Sequence, residues 1–490
     1  MTEQRAELLI GGVWEPAASS ERVEVISPST EQVIATVPRT TAVDVDRAVS
    51  AARAAFDKGD WAQLPVEERA VALERLASSI ESRVEPMANA ITACMGAPIA
   101  MAAAQPWGAA ALARSDAAQI RSIPATELRQ GMVAAASVEW EPVGVVAAIP
   151  AWNGSLYMNV LKLAPALAAG CTVVLKPAAE APLDAFLLAD AVVEAGFPEG
   201  VVSVIPGDGT VGEALVVHEG IDMVTFTGSV ETGRRVGAAC GGGLKRHILE
   251  LGGKSAAIVL EDVDLATLVS GIQFGTFGNS GQMCNAFTRL LVPRGLYDEV
   301  VDAVVQGARQ LVVGDPFDPA TTLGPLGSSR QRDRVEEFIA SGVAQGARLV
   351  LGGGRPADLD KGWYIEPTIF ADVDNSMRIA REEIFGPVLS VIAYEGDENA
   401  VQIANDSHLG LHGAVFSADE ARAYGIAKRI RTGTFSINGY VANPGVPFGG
   451  FKCSGIGRES GIEGLRSYQE IKTINLPEAL AASMRAQPSA

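Results

Sequence analysis

Between Val143 and Gly228 the chain repeats one pattern: a short apolar run of strand length, followed by a stretch with helical spacing of apolar residues. The runs are VGVVAAI, TVVL, VVSVI and MVTFT, and the helical stretches fall at 156–169, 182–194 and 212–217. The apolar runs read as strands buried on both faces, and parallel neighbours need crossover connections. The βαβα order therefore predicts a parallel sheet with helices on both sides. A second alternating region follows Leu251, with SAAIVL, a helix over 265–275, TRLLVP, and later GAVFS and GTFSIN, which predicts a second α/β domain. The N-terminal third reads as an outer helical layer, from small apolar residues at helical spacing over 42–56 and 66–93. The β-prone MVAAASVEW and the C-terminal SYQEIKTINL are expected to pair into one projecting arm.

Composition removes several alternatives. With 490 residues, 48% hydrophobic and 20% charged, the chain can fill two or three packed domains. A formal charge of −19 without a Lys/Arg run opposes binding to nucleic acid or to an anionic membrane. The opening MTEQRAELLIGGVWEP lacks the basic start and apolar core of a signal peptide, and no window reaches the roughly 18 apolar residues of a membrane span. A soluble, cytoplasmic protein is expected. Cys94, Cys171, Cys240, Cys284 and Cys453 are odd in number, scattered and never in CxxC spacing, so free thiols are expected, without a disulfide framework or a metal site.

Three segments offer phosphate or cofactor contacts. GDGTVG, 207–212, matches GxGxxG between a strand and a helix, yet the next strand, MVTFTG, ends in Thr227 and Gly228 rather than in the usual acidic residue. FTGSVETG runs from a strand through Gly228 and Ser229 into a helix whose free N–H groups favour an anion; its bland alternative is an ordinary β-to-α turn. In LKPAAEAP, Lys176 closes a strand at its carboxyl end, where ligands bind open α/β sheets; the alternative is a solvated lysine. Three further residues stand at segment ends: Asn153 in IPAWNGS, Glu250 in LELGGKS and Cys284 in GNSGQMCNAFTR. Singly, they read as a helix cap, a rim charge and a core thiol. Cys284, however, lies among Gly281, Gln282 and Asn285, which suit a turn with exposed N–H groups and make it a candidate nucleophile.

Taken together, PAWN, LKPA, FTGS, ELGGK, GQMCNAFTR, EEIFGPV and PFGGFKCSG, in this order, resemble the motifs of the aldehyde dehydrogenase superfamily over nearly the whole length. The resemblance implies an NAD(P)-binding domain over 1–120 and 142–250, a catalytic domain over 251–445, and an oligomerisation arm with tail over 121–141 and 466–490. It makes Cys284 the nucleophile, Glu250 the general base and Asn153 the oxyanion donor. The implied cofactor contacts are Ile149, Pro150, Trp152, Lys176, Ala179, Gly209, Phe226, Gly228, Ser229, Thr232, Leu251, Gly252, Glu383 and Phe385. The implied reaction is NAD(P)-dependent oxidation of an aldehyde to an acid through a Cys284 thioester, in a homodimer or homotetramer. Glu250 favours hydrolysis over transfer to coenzyme A; a coenzyme A-acylating semialdehyde dehydrogenase and a non-catalytic ligand-binding protein remain the rivals.

Departures from the family pattern carry information too. Ala151 replaces a proline before Trp152 and Asn153. Gly154 and Leu161 stand where small-aldehyde members carry aromatics, with Met158 between them and Phe448 at the expected tunnel mouth, which predicts a tunnel for medium-chain, bulky or aromatic aldehydes. Ala179 stands where strictly NAD-using relatives have a glutamate. Glu180, one residue further, points away if the segment is extended, and no arginine flanks Ala179 in sequence, so use of both NAD and NADP is expected. Cys453 and Met283 receive no role.

Overall fold

The computed structural model describes residues 5–441 and 443–486, so the ends of the expected first domain and tail, 1–4 and 487–490, and Ala442 lie outside the described residues. Five parallel strands form the centre of the first sheet, in the spatial order Val202–Val204, Thr172–Leu175, Val145–Ile149, Met223–Gly228, Arg246–Leu251. The order reverses at Val145–Ile149, whose neighbours come next in sequence on one side and three strands later on the other. The connections therefore diverge there and leave a crevice at the carboxyl ends. Alternate residues serve opposite faces: Val146, Ala148 and Val173 join one core, Val145, Ala147 and Val174 the other. That double burial explains runs with no polar alternation.

The N-terminal third departs from a purely helical layer. Glu7–Ile10 and Val13–Pro16 extend the first sheet, and Arg22–Ile26 pairs with Val33–Pro38 before the first helix, Ala42–Lys58. The hairpin turn is Gly11-Gly12, with φ of 59° and 83°, a conformation that glycine adopts without strain. Two glycines between apolar runs were the available signal; runs of four residues are too short for periodicity to identify. The stretch 66–93 is two helices, Val66–Glu81 and Val84–Met95.

Arg246–Leu251 leaves the first sheet and passes through Gly252–Lys254 into Ser255–Val259 of the second, so ELGGKS is the joint between the two. The second sheet runs Arg348–Leu351, Thr368–Ala371, Val388–Tyr394, Phe287–Pro293, Ser255–Val259, Gly413–Phe416, Ser436–Ile437, all parallel except its first edge. The two remote β-prone segments do meet: Thr126–Gln130, Ala135–Pro142 and Gln469–Asn475 make a three-stranded antiparallel sheet. Met132 and Val133 at its hairpin tip are fully exposed. Among the described residues no helix is long and apolar enough to cross a membrane.

Candidate active site

A cavity of about 1690 Å³ opens at the carboxyl ends of the first sheet and is closed by segments of the second. Asn153, Glu250 and Cys284 line it, as do all the cofactor residues named above, from Ile149 to Phe385. Each wall has a local cause. Ser229 caps the helix Val230–Gly242, its Oγ accepting from Thr232 N at 3.2 Å, and Asp208 caps Gly209–Val217 through Thr210 N at 2.9 Å. Both candidate glycine loops thus face the same space. Lys176 joins them by donating from Nζ to the Gly207 carbonyl at 2.6 Å, and burial pushes its ammonium down to about 8 against the pull of Glu180 and Asp208.

On the opposite wall Glu383 accepts from Gly253 N at 3.2 Å, and burial pushes its carboxyl up to about 7. A Cβ at Gly253 would lie 2.4 Å from the Cys284 carbonyl oxygen, which is why the joint needs glycine there, and one at Gly252 would lie 2.1 Å from Glu383 Oε2. Phe385, at φ 61°, meets Trp152 edge-on at 5.7 Å. A cavity of this size with open space above Gly209, two capped helix N-termini and glycine at the close approaches suits a dinucleotide.

The loop before Cys284 is held by its backbone. After the helix Leu265–Phe277, Asn279, Ser280 and Gly281 are all left-handed, with φ of 52°, 56° and 72°. That strain is offset by a closed set of hydrogen bonds. Ser280 Oγ donates to Gly324 O at 2.7 Å, Asn279 Nδ2 to Asn153 O at 2.8 Å, and Gln282 Nε2 to Asn279 O at 3.1 Å. Gln282 Oε1 accepts from Gly327 N at 2.9 Å. Asn153 Nδ2 donates one hydrogen to Gln282 O at 2.9 Å, which fixes its carboxamide and leaves a second hydrogen on the same nitrogen. Cys284 itself is half-buried, and burial pushes its thiol up, with the Glu383 and Glu250 carboxylates adding to the effect.

Glu250, one residue before the end of its strand, is 3% exposed, and neither carboxylate oxygen has a hydrogen-bond partner among the described residues. Burial raises its carboxyl well above the usual range; Glu459 reinforces this, while Lys162 and Arg458 oppose it. Lys162 and Glu459 form a buried ion pair, with Lys162 Nζ also donating to Thr225 Oγ1 at 3.2 Å. Sequence reasoning missed both. Lys162 had a signal, a lone lysine on an otherwise apolar helix face next to Leu161; Glu459, in GRESG, had none.

The aldehyde dehydrogenase family model matches residues 14–474. The chain belongs to the aldehyde dehydrogenase family. Oxidation of an aldehyde with NAD or NADP as acceptor is its chemistry. It is 45% identical over 478 residues to a geranial dehydrogenase of Castellaniella defragrans, covering 97% of this chain and 100% of the relative. A Mycobacterium tuberculosis aldehyde dehydrogenase complexed with NAD+ superposes with a TM-score of 0.95 at 49% identity, covering 96% of this chain and 98% of the other. A mutant of aldehyde dehydrogenase C from Pseudomonas syringae, complexed with NAD+ and octanal, gives 0.94 at 43% identity, with 97% of both chains covered.

The expected tunnel residues behave differently from the family's cofactor motifs. Gly154, Met158, Leu161 and Phe448 do not line the large cavity. Leu161, at 8% exposure, packs into the core of the first sheet and its helices. Phe448 is half-buried and exchanges backbone hydrogen bonds with Glu459, both at 2.8 Å. A Cβ at Gly154 would meet only the Met158 side chain, no closer than 3.7 Å. On the far side of Cys284 stand two aromatics that sequence reasoning missed. Tyr440 donates to Asn285 Oδ1 at 2.8 Å, and Phe274 meets it edge-on at 5.2 Å. The segment after Lys176 also differs from expectation: Ala179 and Glu180 form a turn rather than an extended run, so both face the cavity.

Proposed function

We propose that the enzyme oxidises a medium-chain, bulky or aromatic aldehyde to its carboxylic acid, with Cys284 as nucleophile, Asn153 as oxyanion donor and Glu250 as base. The observation that carries this is the convergence of these three side chains on one cavity with the cofactor motifs. The Cys284 thiolate adds to the carbonyl carbon, and the oxyanion so formed is held by the second Asn153 amide hydrogen and the Cys284 backbone N–H. NAD or NADP, when bound, accepts the hydride that leaves this carbon, so that a thioester remains on Cys284. Glu250, once ionised, takes a proton from water as the water attacks the thioester, and the cysteine departs with the acid released. Because its oxygens are unpartnered, Glu250 is free to turn toward that water. Lys176, Ser229 and the capped helix would hold the pyrophosphate and ribose, and Glu383 the second ribose.

An apolar substrate is supported by the open space at Gly154 beside Met158, and by the octanal and geranial in the names of similar proteins. The absent glutamate at Ala179 supports use of both dinucleotides. The domain division follows the two sheets and the arm, with joints near 250, 120–142 and 466; the arm, with its exposed Met132 and Val133, would pair subunits into a dimer or tetramer in the cytoplasm. The test mixes enzyme, an aldehyde series and NAD+ or NADP+, with and without coenzyme A, and follows the reduced cofactor. Turnover independent of coenzyme A is expected. An absolute requirement for coenzyme A, or silence with every aldehyde, would overturn the proposal.

A further inference from the structure

The turn Ala179–Glu180 faces the second wall of the cavity, where the helix Ser329–Ala344 begins. Across the gap, Arg330 Nη2 lies 4.0 Å from Glu180 Oε1. These residues are about 150 positions apart, so the pair is invisible in sequence. The Arg330 side chain is 90% exposed and donates no hydrogen bond among the described residues, which leaves its guanidinium free to change partner. Other cations line the same cavity, among them Arg235, which is exposed and lies 3.6 Å from Glu213. Lys176 Nζ is held by the Gly207 carbonyl and weakened by burial, and Arg334 donates to the Glu383 carbonyl at 2.8 Å. Arg330 is the guanidinium that faces the Ala179–Glu180 turn, and a guanidinium matches the oxygens of a phosphate in a bidentate way.

We propose that Arg330 reads the 2′ position of the adenosine ribose, the assignment resting on the reading of this cavity as a dinucleotide site. With a 2′-hydroxyl present, Arg330 stays with Glu180 and neutralises the one carboxylate at that turn. With a 2′-phosphate present, it turns from Glu180 to the phosphate. Ala179 leaves the space that a family glutamate would fill, and Arg330 supplies the charge that makes that space favourable for NADP. The specificity element thus comes from the wall opposite the sheet that holds the rest of the adenosine site.

The test is equilibrium binding of adenosine 2′,5′-bisphosphate and of AMP to the full-length enzyme, measured by titration calorimetry, alongside kcat/KM for NADP+ and NAD+. Arg330→Ala should weaken the bisphosphate by about tenfold or more while AMP changes by less than about twofold, because only a charge-assisted bond to the 2′-phosphate is lost. Arg330→Lys should recover part of the loss, as a point charge without the fork. The wild-type preference for the bisphosphate should shrink as salt rises. Equal losses for both ligands, or no loss for either, would overturn the assignment. Failure of the wild type to bind either ligand would instead remove the dinucleotide reading itself, and the assignment with it.

Discussion

The two sides of Cys284 are built by different rules. On the cofactor side, strand ends feed directly into turns: Ile149 into Pro150 and Asn153, Leu175 into Lys176, Gly228 into Ser229, Leu251 into Gly252. Residue type there is dictated by backbone demands, such as the Gly253 position, where a Cβ would meet the Cys284 carbonyl oxygen, and the Ser229 cap. The residues proposed for the aldehyde side are far apart in sequence, Met158 and Phe274 on separate helices and Tyr440 in a loop. Any apolar residue of suitable size satisfies such a wall. The first kind of surface leaves contiguous motifs in the chain; the second leaves scattered apolar residues that look like core.

If chemistry resides where the two sides meet, replacing Cys284 should have the largest effect. Cys284→Ser should lose nearly all turnover while keeping dinucleotide binding, because an alcohol is a far weaker nucleophile than a thiol at neutral pH. Steady-state turnover above roughly a tenth of wild type would remove the assignment. Glu250→Gln comes next. It should give a burst of reduced cofactor followed by a slow phase, with a stoichiometric acyl-enzyme visible by mass spectrometry; absence of that species would sink the role. Since burial and Glu459 raise the Glu250 carboxyl, its base form grows only above the usual carboxylate range. Deacylation in the wild type should therefore accelerate as pH rises above the usual carboxylate range, and a pH-independent rate would contradict a base at this position.

The same contrast explains which parts were legible. The parallel sheets and the pairing of the two remote β-prone segments followed from apolar runs and strand patterning, because those signals are local, whereas most cavity residues came from the resemblance of whole motifs. The Gly11-Gly12 hairpin was missed because its strands are four residues long, and Glu459 because its partner Lys162 is 297 positions away. Glu180 faces the cavity because a turn, not an extended run, follows Lys176. The aldehyde wall is where inference from the chain is weakest, so substrate preference tests it most directly. Octanal or benzaldehyde should exceed acetaldehyde in kcat/KM by about fiftyfold, from about 0.8 kcal/mol for each of roughly three buried methylenes. A preference for acetaldehyde would mean that the space near Gly154 is not available to substrate.

The smallest effect asks whether a buried acid alone is enough to mark chemistry. Burial pushes Glu383 up to about 7 on the cofactor side, and Asp116, at 4% exposure in the helix Ala104–Ser122, up to about 8 with no opposing cause. Asp116 lies outside the cavity that holds Cys284. If burial without convergence is only structural, Asp116→Asn should leave kcat/KM within about twofold and alter the pH dependence of stability instead. A carboxyl raised in the folded state binds its proton more tightly there than in the unfolded chain. Its stabilising contribution is full below an unfolded pKa of about 3.9 and is lost as pH rises toward about 8. Between pH 5 and 8 that loss is at most about 4 kcal/mol, and the asparagine variant escapes it. The Tm of Asp116→Asn relative to wild type should therefore rise by several degrees across that interval. A flat difference would show that Asp116 ionises normally, and a large fall in kcat/KM with Tm unchanged would move the catalytic boundary onto the helical side.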